Sequence, residues 1–454
     1  MTTIHARLAL LPDGWARDVR ITMANGSFQS VEPNRQPEAG DERCEAILPG
    51  MPNLHSHAFQ RGMAGLAEVS GPAADSFWTW RDVMYRFALA MNPDQMETVA
   101  AQAYIEMLEA GFTRVGEFHY LHHDRDGSPY EDIGEMATRI ASASAQTGIR
   151  LTLLPVCYAH STFGGAPPLP EQRRFISDLD GFARLVEASK GAIAGLDGAV
   201  LGVAPHSLRA VAPDELAALL DLVPNGPIHI HVAEQEKEVA DCLAWSGQRP
   251  VAWLLDHAPV DGLWCLIHAT HMRRDETTAL AASGAVAGLC PVTEANLGDG
   301  IFPAVEYLAA GGGRYGIGTD SNVRISVTGE LRQLEYAQRL QRRARNVLAT
   351  AGGSTGRSLF DAAQRGGHQS LGVADGGIAA AAPADLVALA TDAWAGDDGD
   401  ALLNGWIFAS GVAVDAVWVA GRKVVQGGRH MLRDDETARF QATMRQLLTD
   451  TDLG

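Results

Sequence analysis

Short apolar runs alternate with longer stretches of helical spacing from Ala46 to about Gly366. The strand candidates are Ala46–Pro49, Thr113–Phe118, Arg150–Cys157, Ala199–Ala204, Ile228–Val232, Leu263–His268, Ala285–Leu289 and Arg314–Gly318. Several are apolar without interruption, as in strands buried on both faces of a parallel sheet. Between them, helical patterns cover Glu97–Ala110, Ile133–Thr147, Pro213–Leu222, Gln235–Ser246 and Asp275–Ser283. Eight strands, each followed by a helix, in roughly 320 residues predict a (β/α)₈ barrel slightly enlarged by insertions.

The flanks follow a different rhythm. Ile4–Leu11 and Asp18–Met23 read as strands, with the turn Ala24-Asn25-Gly26 after the second. Asp385–Ala390, Val412–Ala420 and Gly421–Val425 are strand-like as well. Together they predict a small β-rich domain assembled from both ends of the chain. The expected organisation is 1–45 and 372–430 for that domain, 46–371 for the barrel, and 431–454 for a C-terminal helical segment, helical from Asp434 to about Leu448. No internal repeat of about 20–50 residues is apparent.

Composition adds limits. The chain has 454 residues, 46% hydrophobic and 20% charged, enough for a large core without disulfides. Five cysteines, an odd number with no Cys-x-x-Cys, argue against a thiolate zinc site and fit reduced thiols in a cytosol. The first residues lack the pattern of a signal peptide, and no segment reaches the roughly 18 apolar residues of a membrane span. A cytoplasmic protein is expected. The net charge is −19, and the one basic cluster, Arg339 to Arg345, lies in a helical pattern. It reads as a solvated face or subunit contact, so neither nucleic acid nor membrane is an expected partner. The acidity does not decide the substrate's charge, because screening over about 8 Å leaves pocket arginines free to capture an anion.

The chemistry concentrates at predicted strand ends, where a (β/α)₈ barrel carries its functional residues. His55 and His57 stand two apart in Leu54-His55-Ser56-His57. In an extended segment they share a face and can reach one ion such as Zn²⁺. His231 and Glu234 follow at the fifth strand, His268 at the sixth, and Asp320 after the eighth. Each has a plainer reading. His231 or His268 could be a hydrogen-bonded core histidine, Asp320 a turn or cap, and Glu234 a first-turn acid favoured by the helix dipole. Six such groups at four strand ends make coincidence a poor account.

This constellation resembles the amidohydrolase superfamily, with His-x-His on strand 1, His on strands 5 and 6, and Asp on strand 8. The resemblance implies a (β/α)₈ barrel carrying a β-sandwich built from both termini. Strand 4 ends Ala204-Pro205-His206, without a lysine to bridge two ions, which implies a single metal. The His231/Glu234 spacing is similar to that of mononuclear deaminases. Within the superfamily, Pro49–Arg61, Phe77–Arg81, Gly116–Tyr120, Ala204–Arg209 and Gly318–Asn322 resemble the formimidoylglutamate deiminase family of histidine degradation.

That resemblance implies hydrolysis of a formimino group to formyl, with release of ammonia. His55, His57, His231 and Asp320 would hold one divalent ion, expected to be Zn²⁺. His268 would orient the nucleophile, Asp320 would also take a proton from water, and Glu234 would shuttle a proton to the leaving nitrogen. Arg209 and Arg81 would grip the carboxylates of a small anionic amino-acid derivative, with Gln60, Tyr120 and His206 completing the pocket. Arg81 has an alternative reading as a surface residue on an aromatic-rich helix. A homodimer is implied too. His229 is expected to be a hydrogen-bonded interior residue, and His119, His122 and His123 to belong to a polar loop. Asp299-Gly300 and Gly311–Gly313 read as turns. The competing functions are a deaminase of purine or pyrimidine bases, an unrelated metal-dependent amide or ester hydrolase, and a barrel that binds partners without catalysis.

Overall fold

Two short strands meet at Gly50, where the chain passes from one sheet to another. A computed structural model describes residues 1–70, 76–391 and 398–451. Residues 71–75 of the expected 46–371 segment, 392–397 of 372–430 and 452–454 of 431–454 lie outside the described residues.

Before Gly50, Glu42–Pro49 belongs to an eight-stranded mixed sheet built from both ends of the chain. Thr2–Leu11 pairs with Gly14–Ala24 antiparallel and with Glu42–Pro49 parallel; Leu386–Ala390 then pairs with Glu42–Pro49. Ala413–Val419, Arg422–Gln426 and Arg429–His430 extend one edge, and Ser27–Glu32 closes the other. Its own apolar core includes Ile4, Ile21, Phe28, Leu386 and Trp418. Phe28 exchanges backbone hydrogen bonds with Ala381 and Ala382, tying the far strand to the segment that leads into Leu386–Ala390.

After Gly50 the parallel strands begin. Met51–Ser56, Phe112–His119, Arg150–Cys157 and Val200–Leu201 form one parallel sheet in chain order, with Ala204–Pro205 also on Arg150–Cys157. Ile228–Val232, Trp264–His268, Val286–Leu289 and Arg314–Ile317 form another. Parallel bridges join the two sheets at both seams, Val203 to Ile228 and Ser56 to Asp320. Most of these strands are buried along their whole length, the pattern of a sheet covered on both faces.

The first parallel strand is therefore Met51–Ser56, not Ala46–Pro49, which lies in the terminal sheet. Gly50 permits the switch, because a Cβ there would stand 2.2 Å from Thr113 Oγ1. The expected strand Ala199–Ala204 is divided at Gly202, where a Cβ would come within 2.4 Å of the Pro227 carbonyl oxygen.

Helices separate the strands. Pro93–Glu109 starts with a reciprocal cap in which Asn92 and Gln95 satisfy each other's backbone N–H. Val327–Arg342 carries the start of the basic cluster. There Arg339 pairs with Glu335 at 2.7 Å and Arg342 pairs with Glu306, so much of its charge is locally balanced. Among the described residues, no helix is long and apolar enough to cross a membrane, and all five cysteines are free thiols.

Candidate active site

The ends of the parallel strands converge. His55 lies in Met51–Ser56 with His57 just beyond it; His231 lies in Ile228–Val232, and His268 ends Trp264–His268. Asp320 follows Arg314–Ile317 and docks on the first strand. Its amide donates to the His55 carbonyl and its carbonyl accepts from the His57 amide, each at 3.0 Å. Gly318 permits this approach, since a Cβ there would stand 2.8 Å from the His55 carbonyl oxygen. Asp320 and His268 both adopt left-handed backbone, with φ of 48° and 66°. Such conformations cost side-chain-bearing residues of the order of 1–3 kcal/mol and gather where function over-determines the backbone.

Four donors meet in the interior. His55 Nε2 lies 3.2 Å from His57 Nε2 and 3.1 Å from His231 Nε2. Asp320 Oδ1 is 3.5 Å from His55 Nε2 and 3.2 Å from His57 Nε2. Ligand atoms placed tetrahedrally around one ion at about 2.0–2.1 Å stand about 3.3 Å apart. The tautomers suit the same purpose. His57 Nδ1–H donates to the Phe118 carbonyl at 3.0 Å, and His231 Nδ1–H to the His206 carbonyl at 3.1 Å. Both rings thus turn Nε2 lone pairs toward the centre, the outer support that metal-ligating histidines use. Burial pushes the His55 pKa down to about 3 and holds that of His231 well below its usual range. Neutral imidazoles whose lone pairs face one another at such distances need a cation among them, and the three nitrogens and one carboxylate fit a divalent one.

Beside this cluster lies a charged relay. Burial raises the Glu234 carboxyl to about 7, with Asp320 adding to the effect and His268 opposing it. Burial disfavours the His268 imidazolium, yet Glu234, Glu294 and Asp320 outweigh it and lift the ring's pKa to about 10. His268 Nε2 stands 3.6 Å from Glu234 and 3.7 Å from Asp320, while Nδ1–H donates to Glu294 at 3.2 Å.

A cavity opens onto these groups and is lined by His57, His231, Glu234, His268 and Asp320. Gln60, Arg81, Tyr120, His206 and Arg209 line it too. Arg209 is buried with Nε unpartnered. Burial disfavours its charge, but Glu238, Tyr158 and Glu234 outweigh that and hold its pKa above the ordinary value. Arg81 stacks over Trp78 at 4.5 Å and Tyr85 at 5.4 Å, and its buried Nε has no partner. Gln60 donates to the Tyr120 hydroxyl at 2.8 Å.

All eleven residues singled out in the sequence line this cavity or its donor cluster. Others went unread. Glu294, on the short helix Pro291–Leu297 after the seventh parallel strand, braces His268 and caps the Cys290 amide at 2.9 Å. A carboxylate in the first turn of a helix after that strand was the available signal. Tyr85, Tyr158 and Phe175 also line the cavity, from an early helix and from loop positions with no periodic signature. His229 is a buried, hydrogen-bonded interior residue as expected, its Nε2–H donating to the Ser370 carbonyl at 2.7 Å. His119 ends the strand Phe112–His119, while His122 and His123 lie in the loop that follows, and all three are buried. Asp299 is more than a turn residue: its carboxylate is buried, accepts from Gln235, and burial raises its pKa to about 9.

Comparison with known proteins places this architecture. Residues 46–424 match the amidohydrolase family, and residues 1–45 match the N-terminal domain of formimidoylglutamate deiminase HutF. The chain belongs to the amidohydrolase family. It is 51% identical to formimidoylglutamate deiminase of Pseudomonas aeruginosa, across 99% of this chain and 100% of that one. The crystal structure of an amidohydrolase from Brucella melitensis superposes with a TM-score of 0.97 at 59% identity, covering 99% of this chain and all of that one. An adenosine deaminase from Xanthomonas campestris, solved with bound zinc, shares the fold at a TM-score of 0.82 and 23% identity, over 100% of this chain and 99% of that one.

Proposed function

We propose that this chain hydrolyses N-formimidoyl-L-glutamate to N-formyl-L-glutamate and ammonia, in histidine degradation. Its hydrolase class, acting on C–N bonds, follows from its family and its full-length relative. One observation carries the substrate assignment beyond likeness: a single cavity joins the three-histidine, one-aspartate donor set to Glu234 and to two guanidiniums with unpartnered nitrogens. Two cations suit a substrate with two carboxylates.

In this reading His55, His57, His231 and Asp320 hold one Zn²⁺ per subunit. When bound, such an ion acidifies water and supplies a nucleophile near neutral pH. Asp320 and Glu234 take up water's two protons in turn, the first as water attacks the formimino carbon and the second from the hydroxyl of the tetrahedral adduct. Glu234, with a pKa near 7, passes both to the terminal nitrogen, so that the C–N bond breaks as neutral ammonia departs and the formyl C=O remains. His268, braced by Glu294, holds the attacking oxygen in line. Arg209 and Arg81 bind the carboxylates, with Tyr120, Gln60 and His206 around them.

The finer architecture belongs to the same reading. The bridges at both seams support one closed (β/α)₈ barrel over 46–371, and the separate terminal core supports a β-sandwich from 1–45 and 372–430, followed by the segment 431–454. A homodimer in the cytoplasm completes the proposal, testable by sedimentation equilibrium and by fractionation. The central assay measures ammonia release from N-formimidoyl-L-glutamate beside guanine, cytosine and adenosine. Turnover confined to the formimidoyl acid is expected; a preference for a base would overturn the assignment.

A further inference from the structure

Gln172 does not line the cavity, yet it determines what two of the cavity's walls can offer. It ends a single helical turn, Pro170–Gln172, and its side chain is fully buried. Its Oε1 accepts from the Leu169 amide at 2.8 Å, which fixes the orientation of the carboxamide. Its Nε2 therefore carries two hydrogens toward two phenols, Tyr158 Oη at 2.9 Å and Tyr85 Oη at 3.3 Å. Both phenols are buried and both line the cavity with Arg81 and Arg209.

A phenol oxygen that accepts from an amide must direct its own proton elsewhere. Tyr158 and Tyr85 lie near each other, and a bond between them would use one of their two protons at most. At least one remains for the cavity. Burial raises the Tyr158 pKa, so its proton stays in place to be donated. The cavity thus offers phenol and guanidinium donors together, with Arg81 Nε and Arg209 Nε lacking acceptors. A carboxylate is the complement of such a set.

We infer that Gln172 is a positioning residue for substrate recognition, holding Tyr85 and Tyr158 as hydrogen-bond donors to one carboxylate of the acid. This rests on the proposed dicarboxylate substrate. Gln172→Glu keeps the shape and the acceptor for Leu169 but turns the second atom from donor to acceptor. The phenol protons would then point back toward residue 172, away from the ligand.

The test measures steady-state kinetics of the metal-loaded enzyme with N-formimidoyl-L-glutamate and with two monoacid analogues, each lacking a different carboxylate. For Q172E the KM for the diacid is expected to rise about 10-fold while kcat holds within about 3-fold, the pattern of lost uniform binding. The penalty should vanish for the analogue that lacks the carboxylate bound there. The double variant Y85F/Y158F should reproduce the rise, and adding Q172E to it should add nothing. An unchanged KM, or an equal loss of kcat on all three substrates, would overturn the inference. Wild-type turnover of the diacid judges the parent reading separately: an active wild type beside an unaffected Q172E sinks this inference alone. Should Q172E fail to fold, the single variants Y85F and Y158F carry the same test, and unchanged KM values in both would overturn it.

Discussion

In the proposed function, Glu234 and Arg209 separate chemistry from recognition. Glu234 lies beside His268 but outside the four-donor cluster. Glu234→Gln should therefore leave bound metal, measured by elemental analysis, unchanged, while kcat falls by about 10²–10⁴, the usual worth of a positioned acid–base group. Arg209→Ala removes a buried cation from the cavity lining. The KM for a dicarboxylate should rise about 30-fold or more in steady-state assays, while metal content stays constant. These two residues could be read from sequence because each sits at a fixed offset from a strand end, as do His55, His57, His231, His268 and Asp320. Gln172, Tyr85 and Tyr158 could not. They come from three different elements, and their meaning lies in one hydrogen-bonded amide that no spacing encodes. Glu294 falls between: its position after a strand was legible, its contact with His268 was not.

At the level of elements, continuous apolar runs identified the parallel strands well, and Arg150–Cys157 and Ile228–Val232 match their expected bounds. The failures share one cause. A hydrophobic run reports burial, and burial is the same in either sheet, so the passage from Glu42–Pro49 to Met51–Ser56 looked like one strand and its approach. Glycines marked the real boundaries through close contacts that periodicity does not record. Gly318 is the position where this matters to the site. A methyl there meets the carbonyl and Cβ of His55, each at 2.8 Å. Gly318→Ala should destabilise the protein by about 1–3 kcal/mol in denaturant titrations, as overpacking does. It should also weaken metal retention against a competing chelator, because the displaced atoms belong to His55, a proposed ligand. A variant with ordinary stability but poor metal retention would fit the same steric cause; ordinary values of both would contradict it.

Across the whole molecule, the donor cluster acts as a cross-link as well as a site. His55 and His231 are 176 residues apart in sequence, on different parallel sheets, and Asp320 comes from the far end of the second. Unfolding must separate them, so an ion bound among them favours the folded chain alone. Ligand linkage then adds about 2.7 kcal/mol when free ion is 100 times its Kd. Without the ion, three buried imidazoles turn lone pairs toward one another at close range, which makes the same centre a local weakness. Chelation should therefore lower the melting temperature by several degrees in calorimetry, and a divalent ion should restore it. Asp320→Ala separates this from a general effect of salt or chelator. Whatever its own starting stability, its melting temperature should respond little to ion or chelator, because the remaining nitrogens no longer have a carboxylate to balance the charge. An equal response in both proteins would mean that the ion stabilises the fold from somewhere other than this cluster.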